Sequence, residues 1–225
     1  VTTPRAATLV APTTALRLVE DEATWASRAG HKLAGAMESF GIDATGRRAL
    51  DVGASTGGFT DVLLHHGAAG VTAVDVGYGQ MLSRLSNDPR VTVVDRTNFR
   101  HADPVQLGAP FDLISVDVSF ISVSLLASKL AECGREETDY VILIKPQFEA
   151  GKERVGRGGL VTDPQVHAEV IQATLAGLES AGIGTVAVCP SSLPGAKGNR
   201  EFLAHAKLGA DMSIGPSQIA EVSRP

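Results

Sequence analysis

The stretch DVGASTGGFTDVLLHHG, residues 51 to 67, sets two acids, four glycines and three hydroxyl side chains between an apolar run and the end of an amphipathic segment. So much glycine in one turn costs conformational entropy, which makes sense where backbone must come close to a ligand. Two phosphate-binding patterns fail to fit. Gly53 is followed by Ala54-Ser55-Thr56-Gly57-Gly58, which breaks the GxGxxG spacing, and no GKS or GKT closes the turn as a P-loop requires. A pyrophosphate is therefore not the expected ligand. Asp51 ahead of the turn and Asp75 at the end of the next apolar run suit a ligand with an ammonium and a ribose diol. S-adenosylmethionine carries both; other nucleosides, or a structural glycine-rich connection, stay open as alternatives.

Four further residues bear on this turn: Lys32 in RAGHKL, Asp117 in ISVDVSFIS, Lys145 in LIKPQFE and Glu201 in GNREFL. Asp117 and Lys145 close two apolar runs at the same sheet edge as the glycine turn. Glu201 begins a late run, and Lys32 sits on the helix that precedes the sheet. Any one of them alone reads as a solvated charge. Together they are placed to meet in one pocket.

The elements that must hold these residues follow from periodicity. Trp25 to Phe40 carries apolar residues at helical spacing and stops at Gly41. Strands are predicted at Ala49–Val52, Val71–Val76, Val91–Val94, Phe111–Val118, Tyr140–Ile144, Thr185–Val188 and Glu201–Ala206. Helices are predicted at Gly58–His66, Met81–Leu85, Ser122–Cys133 and Pro164–Ala181, the last with Asp163 as N-cap. Apolar strands alternating with helices predict an α/β fold with a mainly parallel sheet covered on both faces.

Composition narrows the functional class. A chain of 225 residues with 44% hydrophobic content supports one substantial domain. No apolar run approaches the roughly 20 residues of a membrane-spanning helix and no secretory pattern opens the chain, which predicts a cytoplasmic protein. Cys133 and Cys189 lie far apart without CxxC spacing or a histidine cluster, so neither a disulfide framework nor a metal site is expected. The net charge of -5 argues against wholesale nucleic-acid binding and leaves local charge to decide.

GHKL, DVGASTGGFTDVLL, DVGYGQ, SNDPRV, DVSFIS, KPQFE with the following GK, and LPGAKGNREF together resemble the TlyA family of ribosomal RNA 2'-O-methyltransferases. The catalytic domain of that family is similar to the RrmJ/FtsJ fold. The likeness runs from about Trp25 to Lys207. It implies a Rossmann-like class I methyltransferase with a mainly parallel seven-stranded sheet and helices on both faces. It also implies a methyltransferase domain over 25–208, a linker or remnant of an S4 RNA-binding domain over 1–24, and a C-terminal tail over 209–225. By the same resemblance, Lys32, Asp117, Lys145 and Glu201 form a K-D-K-E catalytic tetrad. S-adenosylmethionine binding falls to Asp51, Gly53, Ala54, Ser55, Thr56, Gly57, Gly58, Phe59, Asp75, Val76 and Asp117, with Asp95 and Asn98 near the adenine. The implied substrates are cytidine riboses of bacterial ribosomal RNA, as free RNA or in ribosomal subunits, and neither metal nor membrane is needed.

Such a tetrad must deprotonate and align a ribose 2'-hydroxyl for in-line attack on a sulfonium methyl. A neutral lysine can take that proton, and Lys145 is the candidate base, with Asp117 orienting it and Lys32 and Glu201 positioning the ribose. Arg28 and His31, Lys152, Arg154 and Arg157, and Lys197 and Arg200 cluster beside these motifs. They read either as scattered solvated charge or as a basic rim for RNA phosphates, with the 150–160 loop covering the cofactor. Three rival reactions are weaker. Carbon-5 methylation of cytosine needs a cysteine nucleophile, and Cys189 has no evident partner acid. Exocyclic amine methylation lacks its Asn/Asp-Pro-Pro-aromatic motif. Small-molecule O-methylation is the better enzymatic alternative, while a membrane-active haemolysin finds no long apolar or basic amphipathic segment.

Overall fold

A computed structural model describes residues 25–224. The expected linker or S4 remnant over 1–24 lies outside the described residues. Helices are α1 (Arg28–Phe40), α2 (Gly58–His65), α3 (Ser83–Ser86), α4 (Pro104–Leu107), α5 (Ala127–Cys133), α6 (Pro146–Glu149), α7 (Pro164–Glu179) and α8 (Pro216–Ser223). Strands are β1 (Arg48–Val52), β2 (Gly70–Val74), β3 (Val91–Val94), β4 (Leu113–Val116), β5 (Asp139–Ile144), β6 (Ile183–Pro190) and β7 (Phe202–Leu208). They form one sheet in the order β3-β2-β1-β4-β5-β7-β6, with β7 antiparallel to both of its neighbours and every other pairing parallel.

The central strands are apolar on both faces because helices cover both faces. Leu50, Val52, Ile114, Val116, Tyr140 and Ile142 pack with α5, α7 and α8 through Leu130, Ile171, Leu175 and Ile219. Their alternate neighbours Ala49, Leu113, Val141 and Leu143 pack on the opposite side with Leu33 and Met37 of α1 and Phe59 and Leu63 of α2. Lys32 therefore rides on the buried stripe of α1, one residue from Leu33.

Several boundaries differ from the periodic reading. The first helix starts at Arg28 rather than Trp25, because Ser27 is extended at φ -157° and serves as N-cap position. The 122–133 segment is a 3-10 turn at Val123–Leu126 followed by α5. Asp117 and Lys145 stand one residue beyond β4 and β5, and Glu201 one residue before β7. The stretch after 208 contains α8, whose Ile219 is buried. Its one-sided pair Ile219 and Val222 is too short a pattern to announce a helix.

Candidate active site

Parallel strands bring the carboxyl ends of β1, β2, β4 and β5 to one edge, where open α/β sheets hold ligands. The glycine turn crosses that edge from β1 toward β2, with Gly53 N–H and Ala54 N–H both donating to the Val74 carbonyl, at 2.9 and 3.2 Å. Gly53 has φ 87°, and a Cβ there would lie 2.3 Å from the Asp117 carbonyl oxygen. Only glycine lets the tips of β1 and β4 close to this spacing. Ser55, at φ 47°, holds a left-handed conformation without being glycine, the kind of strain that persists where surrounding bonds fix it.

Asp51 lies beneath the turn rather than on its wall. It is 0% exposed, accepts from Thr60 Oγ1 at 2.7 Å and from Ser115 Oγ at 3.2 Å, and so ties the start of α2 to β1 and β4. Burial pushes its carboxyl up to about 7, against the hydrogen bond from Thr60 and with the charge of Asp117 adding to the rise. Asp75 is on the wall. Its Oδ2 accepts from Ser55 N–H at 2.8 Å and its Oδ1 from Gly77 N–H at 2.7 Å. Each oxygen keeps a lone pair for a diol.

Two adjoining clefts open here. One, of about 510 Å³, is lined by Val52, Val74, Val76, Phe99, Val118, Ile121 and Leu126, with Asp75, Gln80 and Asn98 among its polar groups. The other, of about 260 Å³, is lined by Ala54, Thr56, Gly58, Phe59 and Lys145. Gly53, Ser55, Asp117 and Ser119 belong to both walls. The larger cleft offers an apolar slot and a fixed carboxylate, and the smaller a polar end beside the glycine turn, features that fit a base, a diol and an ammonium. Gly57 lies behind the turn against Leu85, and Asp95 accepts from Gly79 N–H at 2.8 Å, bracing the loop after Asp75.

The four charged candidates form two ion pairs. Lys145 Nζ is 2.5 Å from Asp117 Oδ1 and donates to Ser119 Oγ at 3.0 Å. Lys32 Nζ donates to Glu201 Oε2 at 2.5 Å, while Gln147 Nε2 donates to Glu201 Oε1 at 2.9 Å. Glu201 is 2% exposed, and a Cβ on Gly195 would fall 1.9 Å from its Oε1. Sequence reasoning missed Ser119, Gln147 and an aromatic pair. Phe120 is 90% exposed at φ 65°, on the rim of the larger cleft, with its ring 4.8 Å from that of Phe148. A phenylalanine three residues after Asp117 and another three after Lys145 were the available signal.

The basic candidates divide. Arg28, His31, Lys152, Arg157 and Lys197 are exposed. Arg154 is exposed too, but its guanidinium is engaged, with Nη1 on Glu169 Oε2 at 2.5 Å and Nε donating to the Ala150 carbonyl at 2.9 Å. Arg200 donates to the Val222 carbonyl at 3.0 Å and to that of Arg224, closing the end of α8. Cys189 is half-buried on β6, and burial pushes its thiol up to about 11, which leaves it a poor nucleophile for attack on a base ring.

Residues 25–208 match the sequence profile of the FtsJ-like methyltransferases. The chain is 48% identical over 209 residues to the 16S/23S rRNA (cytidine-2'-O)-methyltransferase TlyA of Mycobacterium tuberculosis, covering 92% of this chain and 78% of that one. A solved protein of Streptococcus thermophilus with a provisional hemolysin name superposes with a TM-score of 0.85 at 39% identity, over 88% of this chain and 73% of that one. A second, from Lactococcus lactis and similarly named, gives 0.83 at 37% identity, over 88% and 97%.

Proposed function

The chain belongs to the FtsJ-like methyltransferase family, and from that premise we infer that it transfers a methyl group from S-adenosylmethionine to the ribose 2'-hydroxyl of a cytidine in bacterial ribosomal RNA. The observation that carries this reading is the Lys145–Asp117 pair on the wall of the smaller cleft, where Asp117 also faces the larger one, with the Lys32–Glu201 pair beside it. The cofactor, when bound, supplies a methyl group already activated on a sulfonium.

The residues of the chain do the rest. Lys145 Nζ, uncharged before the step, would take the proton of the 2'-hydroxyl as the ribose oxygen bonds to the methyl carbon and the sulfur–methyl bond breaks. Asp117, 2.5 Å away, balances the charge left on Nζ, and Ser119 holds the amine in place. Lys32 and Glu201, with Gln147, form a rigid floor that orients the ribose, so that much of the rate comes from alignment. The open face of Phe120 offers the attached base a stacking partner at the cleft mouth. Asp75 would hold the cofactor ribose, and Gly53 to Gly58 would take its amino-acid end.

No described helix is long and apolar enough to cross a membrane, so the hemolysin name of the solved relatives gains no support from a spanning segment. Incubation with methyl-labelled cofactor and bacterial ribosomal RNA or subunits tests the reading. Label is expected on a cytidine and should make that nucleotide resistant to alkaline cleavage. Label on a base carbon or nitrogen, or only on small phenols and catechols, overturns it.

A further inference from the structure

Asn199 stands two residues before Glu201 and is 3% exposed, yet neither ion pair of the tetrad uses it. Its side chain reaches a different segment. Oδ1 accepts from Val161 N–H at 3.0 Å, and Nδ2 donates to the Gly159 carbonyl at 2.8 Å. Its own carbonyl accepts from Gly195 N–H at 2.8 Å, the glycine that makes room for the Glu201 carboxylate. One carboxamide thus spans the turn that delivers Glu201 and the loop that carries Lys152 and Arg157.

That loop has little else of its own to hold it. It contains the tight hydrogen bonds Gly156 N–H to Leu160 carbonyl, at 2.8 Å, and Gly159 N–H to Gly156 carbonyl, at 3.1 Å. His167 Nε2 of α7 lies 2.9 Å from the Val161 carbonyl and fixes one end. Arg154 anchors the other through Glu169 and Ala150. Between those anchors the Asn199 amide links the loop to the turn of Glu201. A Cβ on Gly159 would lie 3.7 Å from Lys197 Nζ, so the clamp also brings the two basic turns together.

We propose that Asn199 is a positioning residue for RNA binding: its buried carboxamide locks the Lys152–Arg157 loop to the turn of Glu201, so that phosphate-binding charge and catalytic carboxylate move as one frame. The inference rests on the ribosomal RNA reading for its consequence, but the clamp can be tested without RNA. An asparagine suits the task because it donates and accepts at once. Aspartate of the same size keeps the bond from Val161 and turns an acceptor onto the Gly159 carbonyl.

The experiment uses the full chain and its Asn199→Asp and Asn199→Ala variants, with 23S and 16S ribosomal RNA as probes. Amide hydrogen exchange of residues 156–161 without RNA is expected to speed up in both variants, while cofactor affinity stays that of the parent. RNA binding is expected to weaken roughly five- to thirtyfold, with KM rising more than kcat falls. Its salt dependence should become shallower, since fewer phosphates are neutralised together. Arg157→Ala should weaken binding in the parent and hardly at all in the Asn199→Ala background, the coupling a shared frame requires. Parent-like exchange at 156–161 in both variants overturns the clamp. Faster exchange with unchanged RNA affinity, or full additivity with Arg157→Ala, overturns its role in RNA binding. A parent protein that binds no ribosomal RNA defeats the functional reading instead, and the exchange result still judges the clamp.

Discussion

The two lysine–carboxylate pairs are alike in length and opposite in setting. Glu201 is enclosed, with Lys32 on one oxygen and Gln147 on the other, and Gly195 shaped around it. Asp117 and Lys145 stand on the cleft wall, and the hydroxyl beside them, Ser119, also faces the cleft. The enclosed pair is braced on both carboxylate oxygens and lines neither cleft, so its work is to fix geometry. A pair on the wall can trade a proton. The tetrad therefore divides into a scaffold half and a working half, and the division can be broken from either side.

The largest effect is expected at the working half. Lys145→Ala should lower turnover by roughly 10²- to 10⁴-fold while leaving unfolding by urea and cofactor affinity nearly unchanged. Lys145→Arg should fail as well, since arginine keeps the charge and cannot take the proton. Substantial rescue by arginine would reduce Lys145 to a positioning charge. At the scaffold half the loss should appear in stability first. Glu201→Ala leaves a buried ammonium unpaired and should cost about 3 to 5 kcal/mol in urea unfolding. Replacing both partners, Lys32→Met with Glu201→Leu, should recover most of that stability and none of the turnover. Equal stability losses at Lys145 and Glu201 would erase the distinction between the pairs.

A smaller effect falls on the cofactor side. Asp75→Ala removes a charged acceptor already aimed by Ser55 and Gly77, and calorimetry should show S-adenosylmethionine binding weakened about ten- to a hundredfold. A separate test, on stability rather than binding, concerns Asp51. Its carboxyl rises from 3.8 to about 7 on folding, so the folded chain holds the extra proton between those values. The stability it contributes is present at low pH and is lost as pH rises from 3.8 to about 7. Asp51→Asn should flatten that part of the stability profile measured by urea unfolding across the same range.

The cofactor half was legible because its pieces are contiguous: strand, glycine turn and helix occur within residues 48–65, and Asp75 follows the next strand at the same edge. The acid that periodicity put in the site, Asp51, went beneath it, because residues inside a strand alternate faces while only those past the strand end reach the edge. The acceptor half was legible only in outline. Lys32 and Glu201 lie 169 residues apart and meet through sheet topology, which no local pattern reports. Charge alone leaves Arg154 and Arg200 open as solvated charge or phosphate ligands; their partners, Glu169 and the carbonyls at the end of α8, come from packing against α7. Phe120 was passed over because a lone aromatic after a strand reads as core until its exposure is seen.

Strand β7 runs against its neighbours, and for that reason the start of a strand, rather than its end, supplies Glu201 to the catalytic edge. In the growing chain Glu201 is the last of the four charged candidates to appear. The glycine turn, Asp75, Asp117 and Lys145 are all made before β6, whereas the partner of Lys32 arrives only when the antiparallel pair closes. Pairing of such sequence-distant elements is the slow part of folding. A nascent chain can thus form the edge that carries the glycine turn, Asp75, Asp117 and Lys145 well ahead of the Lys32–Glu201 pair, which closes only when β7 takes its place in the sheet.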